Sequence, residues 1–251
     1  MDILIIILGI IVILLMYYIY TVLNAPPSVA NNIDLSKPPP VIKSSTINNP
    51  YSATYTYGLW IYIFNFSTNN MIDRFIMYGD ATNNGANSYW SLRMDSSSPS
   101  LYCDILVKGT GNNAYQKQTV KITDNFPVQK WVHVVTTVSS GFIECYLNGA
   151  FVLAQTLTNA VYIGNTPTDP NASATFTFGG QGTKTDSQTT RENGSPMVLN
   201  LVSRWDYPLS AGDVYNNYNK GNGQSTNIWG PAYRMNINIS QGTNNYVLPI
   251  F

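Results

Sequence analysis

Residues 55–66, Tyr-Thr-Tyr-Gly-Leu-Trp-Ile-Tyr-Ile-Phe-Asn-Phe, decide the fold class of this 251-residue chain. Side chains alternate along an extended strand, so Tyr57, Leu59, Ile61 and Ile63 share one face and Trp60, Tyr62 and Phe64 share the other. Both faces are apolar. The period of two recurs in Trp131–Val138, where Val132, Val134 and Val138 align, and in Phe142–Leu147, which runs into Asn148-Gly149. That dipeptide suits a type I′ hairpin turn, because both residues tolerate positive φ, and Ala150–Leu157 is the expected returning strand. Met197–Trp205 is a further strand. One short helix is expected after it: Ser210 caps it, Asp213 stands three residues on as in a capping box, and Lys220-Gly221 marks the end. Many short strands with one short helix predict an all-β sandwich.

Several of these pieces, in order, carry a family resemblance. Trp131-Val132-His133-Val134-Val135, Tyr146-Leu147-Asn148-Gly149, Phe176-Thr177-Phe178-Gly179-Gly180, and Leu199-Asn200-Leu201-Val202 leading to Tyr207-Pro208-Leu209-Ser210 and the helix through Tyr218 form the series. Over roughly Thr54 to Gly221 it resembles the concanavalin A-like lectin/glucanase superfamily, particularly its laminin G-like branch. The resemblance implies a jelly-roll sandwich of two antiparallel sheets. It implies little about activity, since lectins, glycosidases, adhesion modules and structural proteins share the fold.

Ahead of this domain runs an uncharged apolar stretch from Ile3 to Val22. At about 1.5 Å per helical residue it reaches roughly 30 Å, the thickness of a bilayer's hydrocarbon core. Residues 1–24 therefore read as a retained transmembrane anchor. A cleaved signal would want a basic start and a shorter apolar run, whereas Asp2 is the only charge before it. Tyr17, Tyr18 and Tyr20 stand where an aromatic belt meets the headgroups. The first lysines, Lys37 and Lys43, follow the run, which by the positive-inside rule puts the large domain in the cytosol. Glycosylation triplets at Asn65, Asn171, Asn193 and Asn238 point the other way, but they arise readily in a chain rich in Asn, Ser and Thr. Residues 25–50, with Pro26-Pro27, Pro38-Pro39-Pro40 and Pro50, read either as a semi-rigid spacer or as an arm lying on the domain. Residues 51–251 form the domain, of which 222–251 lie beyond the resemblance and are expected to add an edge strand or reach a neighbour.

Only 10% of the residues are charged, with 13 acidic against 13 basic, so nothing points to a nucleic-acid partner. Charge depletion with abundant tyrosine is the composition of buried protein interfaces, and equally of a biased codon usage. Cys103 and Cys145 alternate with apolar residues and read as small buried side chains, bridged only if their strands are neighbours.

Catalytic chemistry is not expected. Retaining glycosidases need carboxyls about 5–5.5 Å apart. The chain's glutamates, Glu144 and Glu192, have no acidic neighbour two residues away, and its aspartates are scattered. His133, the only histidine, has no metal-ligating or nucleophilic companion in register and reads as structural. No cofactor is expected, with calcium as the one candidate, since laminin G-like domains often bind it on rim aspartates. Asp73, Asp80, Asp95 and Asp124 are its candidate ligands, and solvated loop aspartates are the competing reading. Trp60, Tyr62 and Phe64 are the candidate glycan or partner face. An exposed row that large exceeds what a lone monomer tolerates, so coverage of Trp60 is expected.

Anchor, spacer and inert sandwich together resemble the minor capsid proteins of large DNA viruses with an internal membrane. That resemblance implies a non-enzymatic structural protein of the virion, held in a lipid bilayer, its β domain facing the shell and other capsid or membrane-associated proteins. A membrane-bound carbohydrate-binding lectin is the alternative, with a glycan as partner.

Overall fold

A computed structural model describes residues 3–23, 27–37, 41–43, 46–47, 49–50, 52–66, 72–80, 88–109, 115–139, 141–161, 175–179, 181–183, 189–190, 196–222, 236–241 and 244–249. The apolar run forms helix α1 (Ile3–Leu23), free of charge and of proline. Its side chains are described from Ile7 to Ile19, all of them exposed and none in the core. That described stretch is about 20 Å long at 1.5 Å per residue. No helix among the described residues is long and apolar enough to cross a membrane.

The arm follows as β1 (Ser28–Ala30), β2 (Ile33–Asp34) and β3 (Val41–Lys43). The domain continues with β4 (Tyr55–Ile63), then a meander of β5 (Ile72–Asp80), β6 (Ser88–Met94), β7 (Leu101–Lys108) and β8 (Tyr115–Thr123). A second meander is β9 (Trp131–Val138), β10 (Phe142–Leu147) and β11 (Ala150–Thr156). Short strands β12 (Thr175–Phe178), β13 (Gln181–Thr183) and β14 (Thr189–Thr190) precede β15 (Met197–Trp205), helix α2 (Ala211–Asn219), and the hairpin β16 (Asn236–Gln241) and β17 (Asn244–Pro249).

Two antiparallel sheets face each other. The first runs β1-β15-β4-β9-β10-β11, with β2 also on β15, and the second runs β14-β13-β5-β6-β7-β8, with β12 joining β3 to β5. The alternation read from β4 governs the packing: Tyr55, Tyr57, Leu59, Ile61 and Ile63 enter the core with Trp90, Leu92, Cys103, Ile105, Val132 and Val134. Tyr57 stacks on Trp90 at 4.2 Å between centroids, 25° apart in plane, which fixes the two sheets face to face.

The arm does not hang free. Pro27 and Asn49 carbonyls accept hydrogen bonds from the Arg204 backbone and guanidinium, Asn32 N–H donates to Asn200 Oδ1, and Leu35 N–H donates to Met197 O. Ile33, Leu35 and Ile47 are buried in the core. These apolar residues are too few to form a period, so the polar composition concealed a strand addition.

Turn chemistry acts as the residues predict. Asn148 (φ 51°) and Gly149 (φ 76°) both take the left-handed region at the β10–β11 hairpin. Ser210 Oγ accepts from Asp213 N–H, the Asp213 side chain receives the Ser210 N–H, and Gly221 (φ 78°) follows the helix. Among the described residues β16 and β17 pair with each other and with no strand of the sandwich, so the described part of the tail is a hairpin of its own and adds no edge strand.

Cys103 sits on β7 of the second sheet and Cys145 on β10 of the first. Both are free and buried, and burial raises both thiols, Cys145 to about 12. They behave as small apolar side chains, not as nucleophiles.

Candidate recognition site

Directly opposed residues of an antiparallel pair point to the same face. Asp34 opposes Val198, Val198 opposes Tyr62, and Tyr62 opposes Trp131, so β2, β15, β4 and β9 carry one row across the outer face of the first sheet. Three strand spacings make that row about 14 Å wide. Tyr62 is half-buried, and its ring meets Phe64 at 4.9 Å (65° between planes) and Trp131 at 5.5 Å (56°). Phe64, 53% exposed, ends the ledge. At the other end the Asp34 carboxylate accepts the Ser36 hydroxyl (2.6 Å) and N–H (3.0 Å) and pairs with Lys37 at 3.4 Å. The two Ser36 hydrogen bonds, and then Lys37, hold its carboxyl below the usual range. Three aromatic rings beside an ionised carboxylate and an ammonium make a surface that can stack a flat apolar face and bond polar groups at its edge.

The expected row Trp60, Tyr62, Phe64 is therefore split. One row along, Trp60 pairs with His133 and is 7% exposed. Helix α2 covers it: the Tyr218 ring stacks on Trp60 at 5.6 Å, and His133 lies 5.0 Å from it. The cover has its own apolar cluster, Val135, Tyr146, Trp205, Leu209 and Val214. Sequence reasoning missed Trp131, Val198 and Asp34 as neighbours of Tyr62, because no local signal carries register between strands so far apart in the chain.

Beneath α2 lies a half-open cavity of about 30 Å³ bordered by Gly58, Trp60, His133, Ser203, Trp205 and Lys220. His133 Nδ1 is buried there without a hydrogen-bond partner among the described residues, and burial lowers its pKa to about 4. A neutral imidazole wedged against Trp60 is a packing element.

The calcium candidates divide between the two ends of the second sheet: register puts Asp73, Asp95 and Asp124 at one end and Asp80 at the other. Asp73 and Asp80 belong to opposite ends of β5, about 23 Å apart at 3.3 Å per residue, and their side chains lie outside the described residues. Asp95 turns its carboxylate on Ser96 and Ser97, and Asp124 pairs with Lys121. Among the described residues no three or more His, Cys, Asp or Glu side chains come together as a metal site would need. Glu144 accepts the Tyr146 hydroxyl at 2.8 Å, and Glu192 lies outside the described residues. On the outer face of the second sheet the buried Asp104 takes hydrogen bonds from Arg93, Ser91 and Thr119, which occupy both its oxygens.

A family model described as the concanavalin A-like lectin/glucanases superfamily, of its laminin G type, matches residues 40–215. The chain belongs to that superfamily. Solved structures similar to this concanavalin A-like domain include the receptor-binding domain of botulinum neurotoxin C/D mosaic serotype, 15% identical with a TM-score of 0.51, over 77% of this chain and 43% of that one. Another is the ligand-binding domain of botulinum neurotoxin serotype D in complex with N-acetylneuraminic acid, 17% identical with a TM-score of 0.50, again over 77% and 43%. The concanavalin A-like chain thus spans about two fifths of those domains, and the likeness is one of fold. No curated protein matches the sequence.

Proposed function

We propose that the chain is a non-enzymatic, membrane-tethered recognition domain that binds carbohydrate on the Tyr62–Phe64–Trp131 ledge. The observation that carries this reading is the ledge itself: aromatic faces left open beside Asp34 and Lys37 on the outer face of the first sheet, next to the part that α2 covers. Pyranose rings present one apolar face and a rim of hydroxyls, which such a surface complements. A domain of similar fold has been solved with N-acetylneuraminic acid, which supports a sugar as ligand class. The tether is α1, whose 21 residues reach about 31 Å and contain no charge. That neither Glu144 nor Glu192 has an acidic residue two positions away in the sequence supports the absence of catalysis. The test is a glycan panel probed with the full chain in lipid nanodiscs, beside the Trp131→Ala variant. Selective binding lost in the variant supports the reading, and no retained glycan overturns it.

A second reading is the minor capsid component, with the domain on the cytosolic side during assembly and facing the shell. Edge strand β11 favours it: Phe151 and Val152 are exposed and the strand has no charged residue, although edges are usually blunted by charge. Recovery of the protein from purified virions with the membrane fraction supports it; a free cell-surface protein counts against it.

A further inference from the structure

The length of chain between α1 and the sandwich decides which end of the domain meets the lipid. Helix α1 ends at Leu23, and Pro27 is already bonded through its carbonyl to the Arg204 N–H. Four Cα steps of 3.8 Å bridge at most about 15 Å. So the end of the sandwich that holds Pro27 cannot stand far from the end of the helix. A spacer of residues 25–50 would have allowed any orientation; an arm paired to β15 from Ser28 onward does not.

Register identifies that end. Trp205 opposes Thr56, Tyr55 opposes Val138, and Val138 opposes Ile143, so the termini of β15, β4, β9 and β10 coincide there. Beyond them project Tyr207, 53% exposed, and Phe142, 44% exposed, about three strand spacings or 14 Å apart. The stacking of Tyr57 on Trp90 brings the Ser88–Lys108 end of the second sheet to the same side, and Lys108 and Lys43 are exposed there. Asp206, half-exposed, and by register Asp80, opposite Ser88, are the described acidic residues at this rim. Tyrosine and phenylalanine flanked by lysines are the residues that settle at a bilayer's headgroup level.

We infer that the sandwich is seated on the bilayer surface by this rim, with Phe142 and Tyr207 as interfacial anchors and the Tyr62–Phe64–Trp131 ledge turned away from the lipid. The inference rests on the proposed tether. From Tyr55 to Phe64 the strand direction covers about 30 Å, so the ledge stands clear of the headgroups at the far end. The seat accounts for two exposed aromatics that pack on nothing in the core and gives the recognition face a fixed outward aspect.

The test uses the full chain in vesicles of phosphatidylcholine and phosphatidylserine containing brominated lipid, with a fluorescent label on Ser139→Cys at the rim or on Asn65→Cys at the far end. Quenching at 139 and none at 65, in protein that resists alkaline carbonate extraction, is the expected result. Carbonate-resistant protein with no quenching at 139 overturns the seat while leaving the tether intact, and extraction by carbonate overturns both. Phe142→Ser with Tyr207→Ser should abolish quenching at 139 while the protein stays carbonate-resistant and its tryptophan emission stays native. Retained quenching removes these two residues as the anchors.

Discussion

The Tyr218 ring lies on Trp60, 22° from parallel with centroids 5.6 Å apart, and this one stack divides a continuous aromatic row into a covered part and an open part. The cover is light: α2 has nine residues, too short to be stable alone, and among them only Val214 is buried.

Truncating the two partners should therefore have unequal consequences. Trp60→Ala removes a 7% exposed ring and should cost about 3–5 kcal/mol, leaving the chain poorly folded. Tyr218→Ala removes a half-buried ring and should cost about 1 kcal/mol, the size of an aromatic pair term. Urea unfolding followed by tryptophan emission compares them.

On the open ledge, stability and binding should separate. Tyr62→Ala and Trp131→Ala change half-exposed residues, so melting should move by only a few degrees, as about 1 kcal/mol would dictate. Glycan binding should fall by tenfold or more in each. A variant that unfolds instead would reassign these rings to the core.

Acid should weaken the fold through His133. Its imidazole titrates near 4 when buried against about 6.5 in the unfolded chain, so the unfolded state takes up the proton first. The stability this group contributes is full above pH 6.5 and lost as pH falls through 4. A difference of that size amounts to about 3 kcal/mol. Urea midpoints at pH 7 and pH 4.5 should converge in His133→Gln relative to wild type, and an unchanged gap would refute the assignment.

Gly149 is constrained twice. Its φ of 76° disfavours any side chain, and an added Cβ would stand 3.0 Å from Tyr218 Cβ. Gly149→Ala should cost about 1–2 kcal/mol for the backbone alone and should also displace α2. Thermal melting and the near-ultraviolet signal of Trp60 report the two effects.

Local residue chemistry made much of this molecule legible. The alternation in Tyr55–Ile63 predicted which residues share a face, Asn148-Gly149 predicted the hairpin, and the Ser210–Asp213 pair predicted the start of α2 within its hydrogen bonds. Each depends on neighbours a few residues apart. The arm was harder to read, because Ile33 and Leu35 give too short a pattern to separate from a linker, and their burial follows from pairing with β15.

What the sequence by itself determined is the all-β character, the superfamily and the apolar N-terminal segment, all of which are properties of composition and short-range period. The tertiary structure alone decided that Trp60 lies under Tyr218 while Tyr62 remains open, that Asp34 and Trp131 share its row, and that the arm joins β15 at Ser28, five residues after the end of α1. The reason is physical: which strands become neighbours, and in what register, is fixed by burying one face of each sheet against the other across segments as far apart as Asp34 and Val198, and no local preference encodes that choice.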